Sequence, residues 1–195
     1  MANKNKRNTK GRIISAAWEL FYDQGYDDTT VDEIVEASGT SKGSFYHYFN
    51  GKDALLSSLS YLFDAKYDEL KDQLNAGDSA IDKLMFLNRE LFIMIEDSVS
   101  VDLLSRLFAT QLIHKGDGHL LDQDRTYYKM VRAILNDGRA RGELRTDVSV
   151  NEITKAYAVM ERGLMYDWCL CSGSYSLAQY SSVILREFLE NYTLK

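Results

Sequence analysis

Apolar residues recur along this chain at spacings of three and four, the period of helices with one buried face. Ile13, Ala17, Leu20 and Phe21 predict a first helix over about residues 9–24, stopped by Gly25. Thr30 and Glu33 have the T-x-x-E spacing of a capping box, and Val31, Ile34 and Val35 give the short helix behind it an apolar face. Gly39 ends that helix. A third short helix follows in SKGSFYHYF, with Thr40 or Ser41 as its cap and Phe45 and Phe49 as its inward stripe. Asn50 and Asp53 then open a long fourth helix, predicted to run to about residue 74.

Beyond Gly77 the helices lengthen. The pattern predicts them over about 79–97, 100–114 and 122–141, with the glycine-rich KGDGH as a loop before the last of these. Ser149 and Glu152 form a second capping box, opening a helix to about residue 171, and Ser176 with Gln179 opens a final one to about 192. The chain contains no proline. The fold class expected is all-α, in two helical parts: three short helices in a compact bundle (1–50), then a larger helical part (51–195).

Composition changes this picture little. The 195 residues are 45 % hydrophobic and 27 % charged, an ordinary globular balance. No apolar run is long enough to span a membrane, and no signal-peptide pattern follows the basic start, so a cytoplasmic location is expected. The two cysteines, Cys169 and Cys171, lack the CxxC spacing of redox or zinc sites. Charge is more informative, because it is sorted. The formal net charge is −6, yet residues 1–52 carry seven basic and seven acidic side chains, so the whole excess lies downstream. Lys4, Lys6, Arg7, Lys10 and Arg12 form a basic arm without acids, able to follow a nucleic-acid backbone.

On a helical wheel with Phe45 and Phe49 buried, Gly43 and His47 lie opposite, Ser44 and Tyr46 flank them, and Lys42 and Tyr48 sit nearer the edges. Such a small, donor-rich face suits a DNA major groove, about 12 Å wide. Thr30 and Ser41, at helix starts, can turn hydroxyls and backbone N–H groups toward phosphates. Lys52 adds a point charge to the same strand, while Lys42, Tyr46 and His47 can reach base edges or phosphates. A glycine at position 43 costs about 1 kcal/mol of helix propensity, a cost that makes sense where a base or phosphate must approach the backbone.

The stretch TKGRIISAAWELFYDQGYDDTTVDEIVEASGTSKGSFYHYFNGKDALL resembles the DNA-binding region of the TetR (AcrR) family of transcriptional regulators. The matching pieces are A-x-x-L-F-x-x-x-G-Y, T-T-V-D-E-I, the glycine turn and S-K-G-S-F-Y-H-Y-F-x-x-K-D-A-L-L, all in order. The resemblance implies an N-terminal three-helix helix-turn-helix domain (1–50) followed by a larger helical ligand-binding and dimerisation domain (51–195). It also implies that Thr30, Ser41, Lys42, Ser44, Tyr46, His47 and Lys52 touch operator DNA, and that the protein is a homodimer reading a palindrome. Asp32 departs from the family, standing where a polar or basic residue is common. The resemblance further implies pairing through the last two helices (149–171 and 176–192), whose stripes are Ala156, Val159, Met160, Gly163 and Leu164, then Leu177, Tyr180, Val183, Ile184 and Phe188.

The body between is rich in aromatic and methionine side chains. Most of these fill a core; together they can also line an apolar pocket for an unknown small-molecule effector. Phe86, Arg89, Phe108, Gln111, His114, Tyr127, Met160, Glu161 and Trp168 are the candidate lining. His114, Asp117, His119, Asp122 and Asp124 cluster in sequence without ordered ligand spacing, so a solvated loop and no metal is expected. No glycine-rich phosphate loop or nucleophile motif is present, so neither an enzyme nor a cofactor is expected. The function expected is a ligand-responsive repressor released from its operator by a small molecule. The alternative is a regulator that is constitutive or controlled by a protein partner.

Overall fold

The computed structural model describes residues 2–113 and 119–194, with side chains from Thr9 to Ile113 and from Leu120 to Leu194. The chain forms two compact units: Met1–Ser60 with Arg106–His119, and Tyr61–Ser105 with Leu120–Lys195. Two helices, α5 and α7, begin in one unit and end in the other.

The first unit contains α1 (Ala2–Gln24), α2 (Val31–Ala37), α3 (Lys42–Tyr48) and α4 (Asp53–Leu56), with the start of α5 (Leu59–Lys71) and the end of α7 (Val101–Ile113). Its core includes Ile13, Ala17, Phe21, Ile34, Phe45 and Phe49, read from the sequence as inward stripes, together with Leu55 and Leu56; Leu20, Val31 and Val35 of the same stripes are only half-buried. Local chemistry sets the ends of its helices. Thr30 and Glu33 make the reciprocal capping box, and Ser41 caps α3 by accepting from the Ser44 amide. Gly39 has φ +58°, the left-handed conformation that turns the chain between α2 and α3.

Two expectations for this region are corrected. The first helix starts at Ala2 and not near residue 9, because Lys- and Arg-rich sequence without proline extends it. The long fourth helix is interrupted at Ser57 and Ser58. Ser58 Oγ donates to the Leu55 carbonyl at 2.5 Å while accepting from the Trp18 indole at 2.9 Å. A serine hydroxyl drawn into the backbone in this way competes with helix continuation.

The second unit holds the rest of α5, α6 (Ala80–Ser98), the start of α7, a 3₁₀ turn (His119–Leu121), α8 (Thr126–Ala140), α9 (Val150–Leu170) and α10 (Leu177–Glu190). Here α6 packs against α8 and α10, and α9 lies against both of those. An added Cβ on Gly138 of α8 would come within 2.4 Å of the Ala80 Cβ, so only glycine permits that approach. Helix α8 starts at Thr126 and not at the expected 122. Asp122 accepts from the Asp124 amide in a tight turn, and Arg125 is extended. Its guanidinium is buried in a bidentate pair with Asp64, both contacts at 3.0 Å.

The stripes on α9 and α10 divide between two environments. Leu164 and Leu177 face the core, while Val159 is 53 % exposed, Tyr180 48 % and Val183 59 %. The outward face of α9 continues through Tyr166 and through Leu170, which is 67 % exposed.

Candidate nucleic-acid interface and buried polar hub

Burial of Phe45 on α1 and α2 fixes the roll of α3. Lys42, Gly43, Tyr46 and His47 are consequently exposed, with Ser44 and Tyr48 half-buried. An added Cβ on Gly43 would meet only Ser41 Oγ, at 3.9 Å, so nothing within the chain calls for a glycine there. Lys42 pairs with Asp32 at 2.7 Å, and that hydrogen bond raises the lysine pKa. The acid that departs from the family pattern thus holds one of the candidate DNA-facing cations. Glu33, held by the Thr30 hydroxyl and amide, titrates below the usual carboxylate range.

Lys52 is placed differently from the exposed α3 residues. Its ammonium donates to the carbonyls of Tyr26 (2.5 Å), Asp27 (3.2 Å) and Thr29 (2.8 Å), and stands 4.3 Å from the Tyr26 ring centroid. On the same ring lies the Arg106 guanidinium, at 4.8 Å, paired with Asp27 at 2.6 Å. The Tyr26 hydroxyl donates to Asp53. Together these groups staple the loop between α1 and α2. From the basic arm, Arg12 donates to the Ser38 and Gly39 carbonyls, closing the end of α2. Lys10 stands 5.9 Å from the Phe49 ring centroid. The side chains of Lys4, Lys6 and Arg7 lie outside those described.

The candidate effector residues are dispersed. Tyr127 and Glu161 meet in the second unit, where the Tyr127 hydroxyl donates to Glu161 at 2.6 Å. Asn88 donates to the other carboxylate oxygen at 2.8 Å and accepts from Ser181 at 2.8 Å. Tyr157 donates to the Leu84 carbonyl and stands within reach of the same carboxylate. Burial raises the Glu161 carboxyl above its ordinary pKa, against the opposing pull of these hydrogen bonds and of Arg162. The nearby Tyr67 hydroxyl is buried with no hydrogen-bond partner among the described residues. Trp168 donates to the Tyr175 carbonyl, and Arg89 turns outward to Glu90. Phe86 and Met160 are half-buried in this unit, whereas Phe108 and Gln111 belong to the first unit. His114 lies outside the described residues, as does most of the loop considered for metal. Asn88, Tyr67, Tyr157 and Ser181 were not among the sequence candidates. An asparagine on the apolar face of α6, one turn from Leu84 and from Phe92, was the available signal.

Among the described residues no group of three or more His, Cys, Asp or Glu side chains is placed to hold a metal ion. No helix among them is long and apolar enough to cross a membrane.

A long first helix and two short ones, joined by a glycine turn and ending in an exposed polar third helix, define a helix-turn-helix module. Residues 13–59 match the family described as "Bacterial regulatory proteins, tetR family". The chain is 27 % identical to the HTH-type transcriptional regulator AcrR of Shigella flexneri, over all of this chain and 95 % of that one. It is 25 % identical to QacR of Staphylococcus aureus, over 81 % of this chain and 85 % of that one. In structure it is similar to Thermus thermophilus FadR, a TetR-family transcriptional repressor solved in complex with lauroyl-CoA. That likeness has a TM-score of 0.73 at 26 % identity, covering 92 % of this chain and 91 % of the other. Residues 13–59 thus match the TetR family, and the relatives that cover most of the chain are transcriptional regulators.

Proposed function

We propose that this protein is a ligand-responsive repressor that binds a palindromic operator as a homodimer and leaves it when a small molecule binds the second unit. The observation that carries this reading is α3, whose core face is closed by Phe45 while Gly43, Tyr46 and His47 stand free toward solvent. In the major groove, Tyr46 and His47 would meet base edges, with Ser41, Ser44 and Thr30 positioning the backbone. Lys42 would exchange Asp32 for a phosphate. Lys52 would act mainly by holding the α1–α2 loop, since its ammonium already has three acceptors.

The exposed apolar face of α9 and α10 supports pairing with a second copy. Gly163 lies on that face, and an added Cβ there meets nothing within 4 Å, which leaves room for a partner helix. Lauroyl-CoA bound to the Thermus relative supports an amphipathic effector. Such a ligand acts only through its differential affinity for the DNA-competent and released states, and α5 and α7, which run from one unit into the other, are the connections that would carry the change.

The test is selection of random duplex DNA by the purified protein, with sedimentation in parallel. An enriched inverted repeat with half-sites about 34 Å apart, bound by a dimer that Val159→Asp converts to a monomer, is the expected result. Folded protein that enriches no sequence would overturn the reading.

A further inference from the structure

Between α8 and α9 runs a groove of about 690 Å³, lined among others by Tyr128, Arg132, Asn151, Thr154, Lys155 and Arg162. Its electrostatics differ from the rest of the unit. Elsewhere in the unit most cations pair with carboxylates, as Lys66, Lys83, Arg125, Arg141, Arg145 and Arg186 do, although Arg139 donates to the Arg145 and Val148 carbonyls. In the groove they do not. Arg132 donates to the Gln123 side-chain oxygen and carbonyl, at 3.0 and 2.7 Å. Arg162 donates to the Tyr128 hydroxyl at 3.1 Å. Lys155 has no partner among the described residues. The carboxylate lining the groove, Asp124, is paired with Lys129 at 3.9 Å. Three positive charges are therefore gathered, with neutral partners or none, on a chain whose formal net charge is −6.

The placement is ordered as well as charged. Lys155 and Arg162 lie seven residues apart, two turns of α9 and about 10 Å along its axis. Ala158 between them keeps the floor low, and Arg132 faces them from α8. Tyr128 is 2 % exposed, and its hydroxyl, donating to the Leu120 carbonyl at 3.3 Å, fixes the oxygen that orients Arg162. Guanidinium groups held in place with N–H groups still open present a planar fork that can bond a pair of phosphate oxygens. The exposed Asn151 amide supplies a further donor at one end.

We propose that this groove binds the phosphate-bearing end of a small molecule, with Arg162 and Arg132 gripping phosphoryl oxygens and Lys155 supplying a third charge. The assignment rests on reading the second unit as the effector domain, and it names the chemistry of one end of the effector.

The probe is inorganic pyrophosphate, titrated calorimetrically into the full-length protein at constant ionic strength. Wild type is expected to bind it saturably, about one per chain. Lys155→Glu and Arg132→Gln should each weaken binding at least about tenfold without lowering the melting temperature. Lys71→Glu, the same charge change on another surface of the unit, should leave binding intact. Equal losses in Lys155→Glu and Lys71→Glu, or no saturation at all, would overturn the site. The same preparations are tested for operator binding. Protein that selects DNA yet ignores pyrophosphate defeats the groove assignment alone, whereas protein that binds pyrophosphate in the expected mutational pattern but selects no DNA defeats the regulator reading.

Discussion

In the first unit, α3 buries Phe45 and turns Lys42, Tyr46 and His47 to solvent, whereas in the second unit α9 buries Glu161 and Thr154 and turns Val159, Tyr166 and Leu170 outward. A small helical module with an apolar interior has little to offer except its surface, and here that surface carries the hydrogen-bonding groups. The larger unit can enclose polar groups because Asn88, Tyr127 and Tyr157 converge on one carboxylate. Its outer apolar stripe, Val159, Tyr166 and Leu170, is half or more exposed. Polar groups outside suit a polar partner such as DNA, and apolar groups outside suit a helix of another copy.

The contrast breaks first at Glu161. Glu161→Ala leaves the Tyr127 and Asn88 donors unpaired beside a cavity, and should cost about 3 kcal/mol in denaturant titration. Glu161→Gln should keep most of the fold and remove a pH dependence. Burial raises this carboxyl, so the folded chain holds the proton more tightly than the unfolded chain does. Its contribution is full below the ordinary carboxylate pKa and is lost as pH rises through the folded value. Wild type should therefore lose stability relative to Glu161→Gln as pH rises from about 4 toward neutrality. Parallel stability–pH curves for the two proteins would contradict the buried ionisation.

Lys52 sharpens the comparison from the other side. It is a cation of the DNA-binding unit that is used internally, so Lys52→Met should lower stability by about 2 kcal/mol and weaken DNA binding as a consequence. Thermal melts beside binding curves distinguish this from a pure phosphate contact, which would leave the melt unchanged. Gly43→Ala should give the smallest stability change, with opposite signs in its two readouts. Alanine should raise stability by up to about 1 kcal/mol, through helix propensity. Operator binding should fall about tenfold, equivalent to 1.4 kcal/mol, as the new methyl meets the DNA.

Local features were legible in the sequence. The Thr30–Glu33 and Ser149–Glu152 boxes, a cap at Thr40 or Ser41, the Gly39 turn and the Phe45 stripe each depend on residues within four positions, so spacing reveals them, and the structure selects Ser41 as the cap. The interruption at Ser58 was not legible, because the indole that holds it lies 40 residues away. Nor was the staple on Lys52, whose acceptors lie 23 to 26 residues upstream. Glu161 and Tyr127 were picked out as polar handles, but Asn88 and Ser181 complete their network from 73 residues before Glu161 and from 93 beyond Asn88, respectively.

By itself, then, the sequence determined most of the helices, their principal caps, the face that α3 turns outward and the resemblance of residues 13–59 to the TetR family. The tertiary structure decided which cations remain available and which polar groups are enclosed. Helix periodicity and capping are short-range and repeat along the chain, so they can be read in order. The partners of a charge or a buried hydroxyl are chosen by packing between distant segments, and three positive charges share the groove between α8 and α9 only once those helices have docked.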